Sequence, residues 1–514
     1  MCLFTLSLIY LAGCDDDPGP QLTGDSKTFE LGSVSNPAIS GSVTFAERDD
    51  DQILITIQLT GTQSGASHPA HIHANSAAET GGIVLDLTDV TGGTGKSETI
   101  VKTLNDGTPL TYDDLLSFDG YVNVHLSATD LGTLVAQGDI GQNELTGDTE
   151  EYTLGPVSDP AISGTATFAK RVNGETLVTV SLTGTTAGSS HPSHIHANSA
   201  AQGGSIVIDL NDIDGATGES HTNVSQLNNA TPITYDELLN YNGYLNVHLS
   251  STVLGTLVAQ GDIGQNELTG DKEEYALGPV SNPAIGGMAT FEKRKNGTTL
   301  VTVALTGTTA GDSHPSHIHA NSAAQGGGIV IDLTNINGTT GLSRTNVSQL
   351  NSGTAITYDE LVDFNGYLNV HLSSAVLGTL VAQGDIGQNE LTGVNKIYTL
   401  NTVSDPAISG TVTFAKRKNG KAMISISLQG TTAGGEHPAH IHANNAATGG
   451  GIVLDLKNVN GATGKSVTSA NALNSGTAIT YDELLVFNGY VNVHLSPSVL
   501  GTLIAQGKIG SNAP

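Results

Sequence analysis

The sequence predicts an all-β protein made of four tandem antiparallel β-sandwich domains with minimal helix. Three observations carry this. A histidine motif recurs at a fixed step, as HPAHIHANS from His68, HPSHIHANS from His191 and His314, and HPAHIHANN from His437, each 123 residues after the last. That period is far longer than a solenoid repeat of roughly 20–50 residues, so each copy can enclose its own core. Within a copy, stretches such as ILITIQLTG alternate apolar and polar residues, the two-residue period of a half-buried strand. Many short runs of this kind, separated by glycine-rich turns, point to paired antiparallel sheets.

The elements follow in order. Residues 1–13 hold the apolar run CLFTLSLIYLAG, too short to span a bilayer and suited to a signal peptide. Residues 14–26 open CDDDPGPQ and read as a flexible acidic tether. The four repeats are expected over 27–142, 150–265, 273–388 and 396–511. In the first, SGSVTFAE and ILITIQLTG are strands, GGIVLDL is a short apolar strand, and NVHLS and LVAQGDI close the domain. Thr111 followed by Asp114, and Thr234 by Glu237, form capping boxes that predict one helical turn. The connections GQNELTGD (twice) and GQNELTGV are polar and short, limiting freedom between neighbours.

Charge narrows the function. With 49 acidic and 19 basic residues the formal charge is −30, which excludes the cationic footprint that nucleic acid requires. The two cysteines, Cys2 and Cys14, both precede the repeats, so no disulfide framework staples them. No nucleophile elbow, phosphate loop or paired catalytic carboxylates stands out, and the chain is expected not to be an enzyme.

The histidines are the candidate site. In His71-Ile72-His73 the two histidines share one strand face and Ile72 takes the other. In Tyr121-Val122-Asn123-Val124-His125-Leu126, alternation places Val122, Val124 and Leu126 in the core and Tyr121, Asn123 and His125 outside. If these strands are neighbours, His71, His73 and His125 converge, and His68, held extended by Pro69, can reach the same spot. Three or four neutral imidazoles are good ligands for copper or zinc. The candidate ligands are therefore His68, His71, His73 and His125; His191, His194, His196 and His248; His314, His317, His319 and His371; and His437, His440, His442 and His494. The alternative is a polar cluster in which the rings only hydrogen-bond Tyr, Asn or backbone. Asp86, repeated as Asp209, Asp332 and Asp455, is expected to be a structural partner or to orient a histidine from outside the ligand set. Asp139 becomes Lys508 in the last repeat, so it is not a ligand required in all four.

Three resemblances add expectations. Leu11-Ala12-Gly13-Cys14 resembles a bacterial lipobox, which implies cleavage before Cys14, lipidation of its thiol and membrane anchoring at the cell surface or outer membrane. The order HIH, GGIVLDL, GYVNVHLS resembles the chordin (CHRD) domain in each repeat, on His71, His73, Asn123 and His125 and on the equivalent residues of the other three. That resemblance implies an extracellular, immunoglobulin-like β-fold. The chain departs from it in carrying Leu131–Gly138 where the family has an arginine-containing segment, and in the extra histidine before proline. The HIH element is also similar to the copper-binding strand of Cu/Zn superoxide dismutase. The expectation is a lipid-anchored, non-enzymatic binding or scaffold module for an extracellular protein or polysaccharide. The competing expectation is a copper- or zinc-binding protein, with superoxide dismutation as its catalytic form.

Overall fold

A computed structural model describes residues 19–513. The expected signal segment 1–13 and Cys14 lie outside the described residues. The first repeat contains β1 (Leu22–Ser33), β2 (Ser40–Arg48), β3 (Ile53–Thr60), β4 (Ser67–Ala74), β5 (Ile83–Thr91), β6 (Lys96–Val101), the short helix α1 (Tyr112–Leu116), β7 (Asp119–Ser127) and β8 (Asp130–Gly141). The strands pair in the order β1-β2-β3-β6-β5-β4-β7-β8 and the ends join. All pairings are antiparallel.

Two layers, β1-β2-β3-β6 and β5-β4-β7-β8, make up the repeat. They are stitched at one edge by the single pair Thr91↔Lys96 and at the other by Gly32↔Gln137 and Ser33↔Ala136. Seams this thin leave a sandwich-like domain whose sheet edges are nevertheless covered. The third and fourth repeats close in the same way, whereas the second leaves the seam between its fifth and sixth strands open. All four repeats are thus antiparallel eight-stranded β units, as the sequence predicts.

The alternation in β3 fixes its orientation. Ile53, Ile55, Ile57 and Leu59 are buried, and Thr56 and Gln58 face outward. Phe29, Leu31, Val43, Phe45, Ile72, Val122 and Val124 complete the core from the other strands. Burying one such aliphatic side chain contributes about 1.5–3 kcal/mol, so this apolar stripe is what sets the register. The helical turn forms where the capping box predicts it: the Thr111 side chain accepts from the Asp114 N–H at 3.1 Å, and the Asp114 carboxylate accepts from the Thr111 N–H at 3.0 Å. Among the described residues no helix is long and apolar enough to cross a membrane.

Two expectations about connections change. The acidic tether stops earlier than residue 26, because Leu22–Ser26 already belong to β1. The segment GQNELTGD is mostly not a linker. β8 ends at Gly141 and β9 (Leu145–Pro156) begins four residues later, so only Gln142–Glu144 separate the repeats. The reason is strand pairing: Leu145 opposes Arg171 on β10 (Ser163–Arg171), which draws the polar segment into the sheet.

The chain divides into two compact halves at Gln265/Asn266, each with two repeats. In the first half a fully buried Arg171 locks the second repeat to the first. Its Nη1 donates to the Asp139 carboxylate at 2.8 Å and to the Asn143 carbonyl, and its Nε donates to Asn223 at 2.7 Å. Asp139 also accepts the Ala77 N–H at 2.8 Å. The second half repeats the device: Arg417 donates to Asp385 at 2.7 Å and to the Asn389 carbonyl, and Asp385 accepts the Ala323 N–H at 2.8 Å. Asp139 is therefore a latch between repeats.

Candidate metal centre

β4 lies between β5 and β7, and its alternation sends Ile72 into the core and His71 and His73 to the outer face. In register, His71 opposes Asn123 and His73 opposes Tyr121. The Tyr121 ring stacks on His73 with centroids 4.9 Å apart and an interplanar angle of 21°. His125 follows on β7. The β7–β8 register shifts between Val124 and His125 and again before Ser127. These bulges break the alternation, so Leu126 does not join Val122 and Val124 in the core and is 42% exposed. On β8 the same irregularity buries Val135 and Ala136 in succession.

The ring protons can be assigned from the partners, since a backbone carbonyl can only accept. His73 Nδ1–H donates to the Gly81 carbonyl at 2.9 Å, and His125 Nδ1–H donates to the Leu131 carbonyl at 2.7 Å. With Nδ1 protonated in a neutral ring, Nε2 of each carries the lone pair. The His125 Nε2 lone pair accepts from His71, whose Nδ1 lies 3.1 Å away. Asn123 Nδ2 sits 3.4 Å from His73 Nε2, and its amide is oriented by Gln137, which donates to Asn123 Oδ1 at 2.8 Å. Gly81 is held in turn, its N–H donating to the Tyr121 hydroxyl at 3.0 Å.

The other repeats copy this arrangement. The Nδ1 of His196, His319 and His442 bonds the carbonyls of Gly204, Gly327 and Gly450, and the Nδ1 of His248, His371 and His494 bonds those of Leu254, Leu377 and Leu500. The pairs His194–His248 and His440–His494 sit at 3.1 Å, like His71–His125. In the third repeat His317 Nδ1 and His371 Nε2 are buried and have no hydrogen-bond partner. Within each triad the three ligand nitrogens lie within 4.8 Å of one another. A tetrahedral ion with bonds of about 2.0–2.1 Å needs nitrogens about 3.3 Å apart, so in three repeats one pair is already at ligand spacing and the remaining nitrogens would close in by at most about 1.5 Å.

Electrostatics favour the neutral ligand form. Burial, and then repulsion from His125, hold the His71 pKa below the ordinary histidine value, against the pull of Asp86. His194, His317 and His440 shift the same way for the same leading reason. The Asp86 carboxylate lies 3.8 Å from His71 Nε2, beyond hydrogen-bond reach, and is 69% exposed. Asp209, Asp332 and Asp455 take the same place at 3.7–3.8 Å.

Of the sixteen candidate histidines, twelve come together as four triads and four do not. His68 is buried beside a register shift at His68/Ala70, where it opposes Val90 instead of joining the outer face. Its Nδ1 bonds the His125 carbonyl at 3.1 Å. His191, His314 and His437 likewise bond carbonyls of His248, of His371 and Leu372, and of Leu495. These four brace the strand that carries the third ligand. The residues that sequence reasoning passed over are Gly81, Leu131, Gln137 and the stacked Tyr121. The first two act through backbone atoms. The signal for the others was their recurrence at the repeat step, as Tyr244, Tyr367 and Tyr490 and as Gln260, Gln383 and Gln506.

Residues 21–134, the span from just before β1 to the middle of β8, match the family model of the CHRD domain. No curated protein matches the chain. Among solved structures, a chain described as a biofilm associated protein, BSP domain, aligns over 100% of both chains at 11% identity with a TM-score of 0.15, a value that carries no structural argument. The CHRD match covers the first repeat, and the other three share its strand order, its triad and its turns.

Proposed function

We propose that the protein is an exported, non-enzymatic binding and scaffold protein with four CHRD-like repeats, each holding one copper or zinc ion through the triad typified by His71, His73 and His125. One observation carries the metal reading. In every repeat two backbone carbonyls take the Nδ1 protons of two histidines, which leaves both Nε2 atoms unprotonated in a triad whose ligand nitrogens lie within 4.8 Å of one another. In the first repeat those two lone pairs accept from Asn123 Nδ2 and His71 Nδ1, donors that an incoming ion would displace. Carbonyls that hold the far ring nitrogen of a histidine in this way set ligand orientation and basicity at metal centres. Three neutral imidazoles suit copper or zinc, leaving a fourth position for water or a partner's group.

Binding is favoured over catalysis by the repetition itself. Four linked sites gain avidity for an extended ligand, such as an extracellular protein or polysaccharide, whereas a catalyst gains little from covalent copies. The lipobox-like Leu11–Cys14 supports anchoring through a lipidated Cys14 at the membrane surface. The test is His71→Ala with His73→Ala in the full chain. Uptake should fall by one ion of four with the fold retained. Unfolding of the double variant in the absence of metal would instead make these histidines structural.

A further inference from the structure

The face that receives the next repeat has been rebuilt in the fourth repeat. In the first and third repeats, Asp139 and Asp385 sit on this face and accept both an N–H of the turn after the histidine strand (Ala77, Ala323) and an arginine of the next repeat. The equivalent residue in the fourth repeat is Lys508, at the same place on the strand Val499–Gly510. An ammonium there repels the arginine that the latch uses. It also leaves the equivalent N–H, that of Ala446, without a hydrogen bond among the described residues.

The neighbouring strand Leu391–Thr402 has changed in concert. Where the second and third repeats carry Asp148, Glu150 and Glu151 and Asp271, Glu273 and Glu274, the fourth carries Val394, Lys396 and Ile397. Lys396 and Lys508 have no ion pair among the described residues, whereas Lys416 and Lys418 in the same repeat are paired with carboxylates. Ile397 is 58% exposed and Val403 is 51% exposed. Together with Ala446 they line a cavity of about 580 Å³. On a chain of charge −30, a concave face that has exchanged its carboxylates for two lysines without ion pairs among the described residues, Lys396 lying over the Tyr398 ring, and for exposed aliphatic side chains is a local reversal of sign.

We propose that this face of the fourth repeat binds an acidic segment of a partner protein, one carboxylate of which takes the position filled by Asp139 and Asp385 in the other repeats. The Ala446 N–H and the Lys508 ammonium are the donors for that carboxylate, Lys396 serves a second acidic residue, and Ile397 and Val403 pack against an apolar residue of the segment. Charge complementarity makes such docking fast and selective against basic partners. No triad histidine lines the cavity, so docking there is independent of metal in the triads.

The test uses a fluorescein-labelled peptide of six glutamates flanking one leucine, titrated by anisotropy against the full chain and against K396E/K508D. Both substitutions restore residues that the second and third repeats already carry, so the fold is preserved, and an unchanged unfolding transition checks it. The expected result is saturable binding that weakens with salt and drops about tenfold or more in the double variant. Equal binding by the two proteins, or none by the parent, would overturn the proposal. So would preference for a sulfated polysaccharide over the peptide, or self-association of the parent that the same substitutions abolish.

Discussion

Replacing Arg171 by methionine probes the latch between the first two repeats. The guanidinium is fully buried, and the Asp139 side chain it meets is 15% exposed. Methionine fills much of the volume but donates nothing. It strands one Asp139 oxygen, the Asn143 carbonyl and the Asn223 side chain, while the other Asp139 oxygen keeps its bond to the Ala77 N–H. Removing one partner of a buried ion pair costs about 3–5 kcal/mol, and the residual hydration of Asp139 places this case near the lower end, about 3 kcal/mol. That is a large fraction of the roughly 5–15 kcal/mol available to a domain. Because four repeats do not unfold as one unit, the assay is urea unfolding followed by a local probe, protease cleavage at Gln142–Glu144. R171M should expose that connection at lower urea. In a double-mutant cycle with D139N the coupling should be about 1–3 kcal/mol. A loss below about 1 kcal/mol with no coupling would refute the latch.

Three further outcomes follow from the site. A Cβ at Gly81 would overlap the Ala74 carbonyl, whereas one at Gly82 meets open space. G81A should therefore displace the carbonyl that holds the His73 proton and weaken metal affinity in that repeat by about 10–100-fold, with G82A neutral in the same titration. The lowered pKa of His71, and of its three copies, means the unfolded chain binds protons first. The stabilisation is complete above the ordinary value of 6.5 and is lost as pH falls through the lower folded value, so metal-free denaturation midpoints should drop just below pH 6.5. Midpoints flat across that window would contradict the assignment. Ile72→Ala, in the core between the two ligands, should cost about 2–5 kcal/mol and abolish metal uptake in the first repeat by unfolding it, a loss visible in circular dichroism without metal.

Much of this was legible in the sequence because it is periodic. The two-residue alternation of Ile53–Leu59, the capping box at Thr111 and the side-sharing of His71 and His73 depend on local spacing alone. What escaped depends on irregularity or on distance. The bulges at His68/Ala70 and Val124/His125 shift the strands by one residue, enough to withdraw His68 from the cluster and expose Leu126. The polar GQNELTGD reads as a linker because its strand partner, Arg171, lies 26 residues beyond Leu145. The Asp139–Arg171 latch joins residues 32 apart in different repeats. Its traces in the sequence, the recurrence of Arg171 as Arg294 and Arg417 and the exchange of Asp139 for Lys508, could be seen but not interpreted without the interface.

Elemental mass spectrometry on the chain from residue 19 onward, incubated in turn with copper, zinc and nickel and then desalted, tests the metal reading most directly. The four triads predict close to four equivalents of copper or zinc per chain. Retention of no metal would contradict the reading and leave the twelve histidines as a hydrogen-bonded surface of the sheet.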